Sequence, residues 1–392
     1  MRFDNSVWKK VKLGELFEIT SVIRVHESDW TKEGIPFYRA REIVSIFNNE
    51  KIEPLHISRE LYERLTKKCG VIEANNLLVT GVGTIGVPYL VKASDTFYFK
   101  DGNIIWLKND KLNGHFLYYS FQTPSVITQI KNQCGTGTVG TYTIDSAKKT
   151  TINVPNNGIQ EKIGNFLLRI DERIETQNKI IEEKEKLIYA INDYLYDKSP
   201  KQEYKLLSLF EQYGGLSGKT ADDFGKGMPY ITFLSVLNDT YVTREHTQLV
   251  DIKKEEKQNI VGYGDVVLTL SSETPEEVGI AAVNLIAEPV YLNSFCMGLK
   301  NKNKNVVYND YLTWLFSAKK FRKHIFPYAQ GSTRFNLNVS SFMNSYFELP
   351  SLDNQIKITK MLNESLRELE IEKAILSKYI LQRKYLLRNL FI

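Results

Sequence analysis

Cysteine is scarce in this sequence, and its three residues, Cys69, Cys134 and Cys296, lie far apart. They form no CxxC pair and no zinc-type spacing, and an odd count does not suit a disulfide framework. Free, mostly buried thiols in a reducing cytoplasm are the expectation. No run of 18 apolar residues occurs, so no membrane-spanning helix is expected. The opening MRFDNSVWKKVKLGEL has no apolar core of the kind a secretion signal needs. The five histidines, His26, His56, His115, His246 and His324, make no HExxH or other ligand pair, so no metal site is expected. No trio of side chains suggests a nucleophile with its base. These absences point away from an enzyme and towards a cytoplasmic binding protein.

Acids are missing from two stretches, between Asp110 and Asp145 and between Asp310 and Glu348. The overall balance of 51 Lys and Arg against 46 Asp and Glu, a net charge of +5, is only weakly basic and would not by itself identify a nucleic-acid binder. The distribution says more. Lys319, Lys320, Arg322, Lys323 and Arg334 fall inside the second acid-free stretch, and two such stretches in matching places would suit two surfaces that face phosphate.

Those matching places belong to a chain written twice. VKLGELFE from Val11 matches YKLLSLFE from Tyr204, an offset of 193, and GIPFYRAREI from Gly34 matches GMPYITFLSV from Gly227 at the same offset. NLLVT ends at Thr80 and DVVLT at Thr269. The Gly/Thr-rich CGTGTVGTYT at 134–143 pairs with QGSTRFNL at 330–337, and TINVP ending at Pro155 pairs with YFELP ending at Pro350. The order of the blocks never changes, which points to duplication.

Each half has two parts. The first is rich in short β-type runs, such as NLLVT, NIIWL, DVVLTL and PVYLNSF, broken by Gly, Pro and Asn. The second is helical. From Gln160 to Tyr196 there is no proline, and apolar residues recur at heptad spacing: Ile163, Leu167, Ile170, Ile174, Ile181, Ile188, Ile191 and Leu195. Gln177 and Lys184 fill the remaining seam positions. The second copy carries Ile358, Leu362, Leu369, Leu376, Tyr379, Leu386 and Leu390, interrupted by Ser365, Glu372 and Arg383. The expected fold class is α+β: two tandem-duplicated α/β globules, 1–155 and 200–350, separated by two long coiled-coil helices, 156–199 and 351–392, in a pseudo-two-fold arrangement. Helices that pair with each other in this order run antiparallel. A helix of 37 residues spans roughly 55 Å at about 1.5 Å per residue, long enough to hold two heads against two short sites on one duplex.

The ordered set resembles the specificity subunit of type I restriction–modification enzymes. Trp8-Lys-Lys-Val11-Lys12-Leu13-Gly-Glu-Leu16-Phe17 opens the first globule, and each helix follows a Pro-x-x-x-x-Gln junction, NVPNNGIQ at 153–160 and ELPSLDNQ at 348–355. Each helix ends in Leu and an aromatic residue, Leu195-Tyr196 and Leu390-Phe391. The resemblance covers nearly the whole chain. It implies that each globule is a target-recognition domain reading one half of a bipartite site in double-stranded DNA. It implies that the helices set the spacer and dock two methyltransferase (modification) subunits, which hold S-adenosylmethionine. Separate motor–nuclease (restriction) subunits use ATP and Mg, and the specificity subunit itself binds no cofactor and performs no chemistry. One departure is that Ile356 stands where the first junction has Glu161, which puts the start of the second helix in question.

Three motifs lead elsewhere only superficially. GVGTIG at 81–86 fits a dinucleotide fingerprint, but Pro88 and β-type residues follow it instead of a helix. GLSGKT at 215–220 is similar to a phosphate loop, yet Tyr213 occupies the place of its first glycine. NVPN at 153–156 lacks the second proline and the aromatic residue of an adenine methyltransferase motif.

Arg can fork onto guanine, and Lys or Thr can hold phosphate. The expected DNA contacts are Arg39, Arg41, Thr136, Thr138, Lys148 and Lys149 in the first half. In the second half they are Lys219, Thr220, Lys319, Lys320, Arg322 and Arg334, of which Arg334, in a polar acid-free loop, is the first choice. The expected coiled-coil and subunit interface is Leu167, Ile174, Ile181, Ile188, Leu195, Leu362, Leu369, Leu376, Tyr379 and Leu386. Phe166, Ile180, Leu187, Ile371, Ile375, Ile380 and Leu387 lie off that seam and are expected either to pack on the globules or to dock partners. Two other readings are a coiled-coil protein-interaction scaffold without DNA specificity, and a fused restriction–modification polypeptide, for which the chain is short and lacks motifs.

Overall fold

The computed structural model describes residues 8–134 and 140–391. The chain forms two compact units, Met1–Asn178 with Ala374–Ile392, and Lys179–Lys373. Two long helices, Asn157–Lys198 and Leu352–Asn389, each contribute one half to each unit.

In the first unit an antiparallel sheet runs in the order Glu18–Thr20, Ile104–Lys108, Leu77–Thr80, Pro88–Leu90. A second sheet pairs Trp30–Thr31, Leu55–Ile57, Ile35–Tyr38 and Tyr98–Phe99. In the second unit the larger sheet orders Phe210–Gly214, Cys296–Asn301, Val266–Thr269, Ala281–Asn284 and Tyr241–Val242, and the smaller orders Thr247–Val250, Phe224–Ile231 and Tyr291–Leu292. The central strands Leu77–Thr80 and Val266–Thr269 are buried at every residue, as continuous apolar runs require.

The blocks repeated in the sequence do the same structural work in both units. The strand that leads into VKLGELFE, Lys9–Lys12, pairs with the strand of TINVP in one antiparallel ribbon, with Val11 opposite Ile152; Lys201–Lys205, leading into YKLLSLFE, pairs with YFELP in the other, with Tyr204 opposite Phe347. Each ribbon brings the start of a globule to the point where its long helix departs. Gly34 and Gly227 share a positive φ, +136° and +94°, and a Cβ there would lie 2.3 Å from the Ile57 carbonyl oxygen and 2.5 Å from that of Val250. Only glycine fits so close to the partner backbone, just before strand Ile35–Tyr38 in one copy and at the register shift within Phe224–Ile231 in the other.

The helices meet their globules through a buried glutamine. Gln160 Oε1 accepts from the Asn113 amide (3.0 Å) while its Nε2 donates to the Pro155 carbonyl (2.9 Å). Gln355 Oε1 accepts from the Tyr308 amide (2.9 Å), and its Nε2 donates to Val306 and Pro350 (both 2.8 Å). The helix starts are capped upstream, by Asn156 Oδ1 on the Ile159 amide and Ser351 Oγ on the Asn354 amide. The exchange of Glu161 for Ile356 therefore leaves the second helix start intact.

In the first unit the helix halves run antiparallel: Ile163 and Leu167 pack with Leu387 and Leu390 against Phe116 and Tyr119, and Arg383 Nε bonds Asp171 Oδ1 at 2.5 Å. In the second unit Lys184 Nζ meets Glu372 (2.9 Å), while further along the first helix the Tyr196 hydroxyl donates to the Glu348 carbonyl (2.7 Å). Leu167, Ile181, Ile188, Leu362 and Leu369 are buried; Ile174, Leu195, Leu376, Tyr379 and Leu386 are partly so. Leu387, off the seam, takes the first of its two expected roles. It is only 6% exposed, because this helix end packs on the globule as well as on its partner helix, so its apolar face is wider than a heptad seam.

Candidate nucleic-acid interface

Two loops come together at one edge of each central sheet, and the sequence repeats show why. Thr80 and Thr269, both fully buried, end the equivalent strands. Thr80 Oγ1 donates to the Thr84 carbonyl and accepts from the Val87 amide, closing loop 81–87. Thr269 Oγ1 donates to the Glu277 carbonyl and accepts from the Ile280 amide, closing the longer loop 270–280. The second loop of each unit then docks on the first by the same bond: the Tyr142 amide donates to Gly81 (2.9 Å), and the Leu337 amide donates to Leu270 (2.8 Å). In the second unit this contact extends into a small sheet of Ser271–Ser272, Phe335–Leu337 and Ala329–Gln330.

Arg334 lies in this second loop, immediately before Phe335. Its Nε donates to Ser271 Oγ at 2.8 Å, and its guanidinium carbon stands 4.9 Å from the centre of the Phe295 ring. Phe295 is 49% exposed, which for a phenylalanine marks a surface position rather than core. Neither Ser271 nor Phe295 stands out in the sequence. Their roles depend on a strand pairing, Ser271 opposite Asn336, that joins residues over sixty positions apart. In the first unit, Thr136 and Thr138 lie outside the described residues. Lys148 and Lys149 close the short helix Ile144–Lys149 that follows the second loop; both are exposed and have no ion pair among the described residues.

The other expected contacts are engaged within the fold. Arg39 and Arg41 both bond Glu42 Oε1, at 2.7 and 2.6 Å. Burial would raise the Glu42 pKa, but the hydrogen bonds from the two arginines outweigh it and hold the carboxyl below its usual value. The Lys219 ammonium is 4% exposed and pairs with Glu256 and the Asp251 carbonyl, so GLSGKT cradles no phosphate with it. Thr220 bonds Asp223 as the cap of a short turn. Arg322 donates to the carbonyls of Glu276, Val278 and Gly279, and burial pushes its pKa down. Lys219 and Arg322 thus leave the set of free cations, because their donors already satisfy buried acceptors. Lys319 and Lys320, though exposed, lie against Asp193 (3.4 Å) and Asp197 (2.8 Å) of the long helix. The acid-free stretch is therefore acid-free in sequence only.

Loop 81–86 leads into strand Pro88–Leu90 as Pro88 requires, so no helix is available to hold a pyrophosphate. Among the described residues no His, Cys, Asp and Glu group has metal-binding geometry, and no helix is long and apolar enough to cross a membrane. The units also differ in charge: the first has 27 Lys and Arg against 20 Asp and Glu, the second 24 against 26.

A family model described as type I restriction modification DNA specificity domain matches the chain twice, over residues 5–186 and 198–378. The chain is 26% identical over 162 residues to the Haemophilus influenzae protein named type I restriction enzyme specificity subunit S.HindORF215P. That match covers 41% of this chain and spans about two-fifths (39%) of the length of that relative. Among solved structures, a type I restriction–modification S subunit from M. genitalium is similar over 100% of this chain and 98% of its own, with TM-score 0.53 and 17% identity. The HsdS subunit from Thermoanaerobacter tengcongensis is similar over 99% and 97%, with TM-score 0.51 and 14% identity. A chain from a study of complex assembly and conformational transition of the type I R-M system gives TM-score 0.65 at 15% identity, over 98% and 97%.

Proposed function

Because this chain belongs to the family of type I restriction modification DNA specificity domains, we propose that it is the sequence-specific DNA-binding subunit of a type I restriction–modification complex. Each unit reads one half of a bipartite site, and the long helices set the spacer between the halves. The observation that carries this reading is the duplicated pair of docked loops, joined in both units by the same backbone bond and carrying Arg334 in the second. The subunit performs no chemistry. S-adenosylmethionine belongs on the methyltransferase subunits, and ATP with Mg on the motor–nuclease subunits.

The helices leave apolar side chains in solvent, which suits docking of the methyltransferase subunits. In the first unit these include Phe166 (41% exposed) and Leu381 (64%). In the second, Met361, the repeat equivalent of Phe166, is 42% exposed and Leu187 is 57%. The cytoplasm, where the DNA and the partner subunits are, is the proposed location.

The test is co-expression with the modification subunit and mapping of methylated adenines. A single bipartite sequence with a constant gap is expected. Co-purification without site-specific methylation or salt-sensitive DNA binding would favour a protein-interaction scaffold instead. The charge difference adds an expectation: the first unit supplies most of the attraction to phosphate. Replacing Lys148 and Lys149 together by glutamate should weaken binding about equally at all sequences, and lower the salt slope by about 1 for each phosphate no longer held. Titrations of site-containing and unrelated duplexes over a salt series measure both effects. An altered methylation sequence would show instead that these lysines read bases.

A further inference from the structure

Resting on the DNA-recognition reading above, we propose that Arg334 reads a guanine, and that the half-site of the second unit therefore contains a G·C pair at the position it reaches. The geometry separates this arginine from four others that the fold engages. Arg39 and Arg41 are held on Glu42, Arg322 on three carbonyls, and Arg383 on Asp171 and Gln122. Arg41 and Arg383 are also held by Nε, and Arg383 also lies over a ring, Tyr119, but both sit on a carboxylate; of these arginines Arg334 is the one held through Nε and its flat face by neutral groups, Ser271 Oγ and the Phe295 ring. Its two terminal nitrogens have no partner among the described residues, and they form the fork that matches guanine O6 and N7.

The supports are themselves fixed. Ser271 is 5% exposed and paired in register with Asn336, while the Leu270 amide donates to the Phe295 carbonyl at 2.8 Å. Gly331, at φ +150°, turns the loop so tightly that a Cβ there would fall 2.0 Å from the Arg334 carbonyl oxygen. The side chain is thus ordered before a ligand arrives, which reduces the entropy lost on binding.

The surroundings favour a base edge over a phosphate. Loop 270–280, on which Arg334 rests, carries Glu273, Glu276 and Glu277, and none of the three carboxylates is ion-paired among the described residues. Three carboxylates repel a phosphate but not the neutral acceptors of guanine. Ser271 and Phe295 are positioning residues: they aim the fork without touching the base.

The experiment uses the full chain in complex with its modification subunit, acting on a plasmid library with a randomised target. Wild type should show an invariant guanine at one position of one half-site. Arg334→Ala should relax that position alone, lowering discrimination about five-fold to a hundred-fold, while the rest of the sequence stays constant. Arg334→Lys should relax it too, since an ammonium keeps the charge but lacks the fork. Ser271→Ala should relax the same position more weakly, a readout that a merely structural serine would not move. Uniform weakening by Arg334→Ala with recovery by Arg334→Lys identifies a phosphate contact and overturns the proposal. So does an unchanged sequence in a folded variant. Absence of any site preference in wild type overturns the DNA-recognition reading itself, and this inference with it.

Discussion

Gln355→Leu is expected to lower the stability of the second unit by about 3–5 kcal/mol, since an orphaned buried polar group costs roughly 1–3 kcal/mol. Gln355 is 0% exposed and makes three hydrogen bonds to backbone, from Tyr308 and to Val306 and Pro350. Leucine fills much of the same space but leaves one amide and two carbonyls unpaired, the Pro350 carbonyl in a buried position and the other two in half-buried ones. Gln355→Glu should be at least as damaging, because it turns a carboxylate towards two carbonyl oxygens. The twin substitution Gln160→Leu should cost less, about 2–4 kcal/mol by the same reasoning, because one of its bonds goes to the side chain of the exposed Asn157. Urea unfolding followed by tryptophan fluorescence measures this. Trp314, the one tryptophan of the second unit, bonds Asn363 of the long helix through Nε1 (3.2 Å). An unchanged unfolding midpoint for Gln355→Leu would show that the junction does not hold helix to globule.

The second large effect concerns Arg383. Its guanidinium bonds Asp171 and Gln122 Oε1 (2.6 Å), while the Tyr119 hydroxyl donates to Asp171 Oδ2 (2.9 Å). Burial opposes the charge on Arg383, but the hydrogen bond and charge of Asp171 outweigh burial and hold its pKa above the usual value. Arg383→Met removes this partner and leaves Asp171 charged in a half-dry seam. We expect a loss of about 2–3 kcal/mol, below the roughly 3–5 kcal/mol of a fully buried pair, since the two side chains keep 23% and 30% of their exposure. The repeat shows how to undo it. At the offset of 195 that relates Gln160 to Gln355, Ile188 and Leu366 occupy the equivalent positions in the second unit. The double variant Asp171→Leu with Arg383→Ile should therefore recover the cost of the orphaned charge and keep only that of the Tyr119 hydroxyl left without its acceptor, about 1 kcal/mol, because an apolar pair replaces a buried ionic one at little cost. A double-mutant cycle on urea unfolding reads the coupling, and additive losses would show that the two residues act independently.

Much of this protein was legible in its sequence because the relevant signals are local and occur twice. Heptad spacing announced both long helices, and the matched blocks announced two similar globules. The structure shows what those blocks are for: a ribbon, a glycine crowded against a partner backbone, a buried threonine that closes a loop, and a glutamine that staples a helix. The family resemblance rested on the same features, and the double family match agrees with it.

The cationic surface was not legible in the same way. Lys319, Lys320, Lys219 and Arg322 look alike in the sequence as basic residues near polar loops. Lys319 is neutralised by Asp193, and Arg322 caps carbonyls at Glu276–Gly279. The Ser271 and Phe295 supports of Arg334 appear only once strands distant in the chain are paired. Periodicity along a chain determined the elements, their order and their duplication, because a helix or strand is set by neighbours a few residues away. Which charges stay free to meet another molecule was decided by tertiary structure alone, because a charge is cancelled by whatever lies within a few ångströms, however far off it stands in sequence.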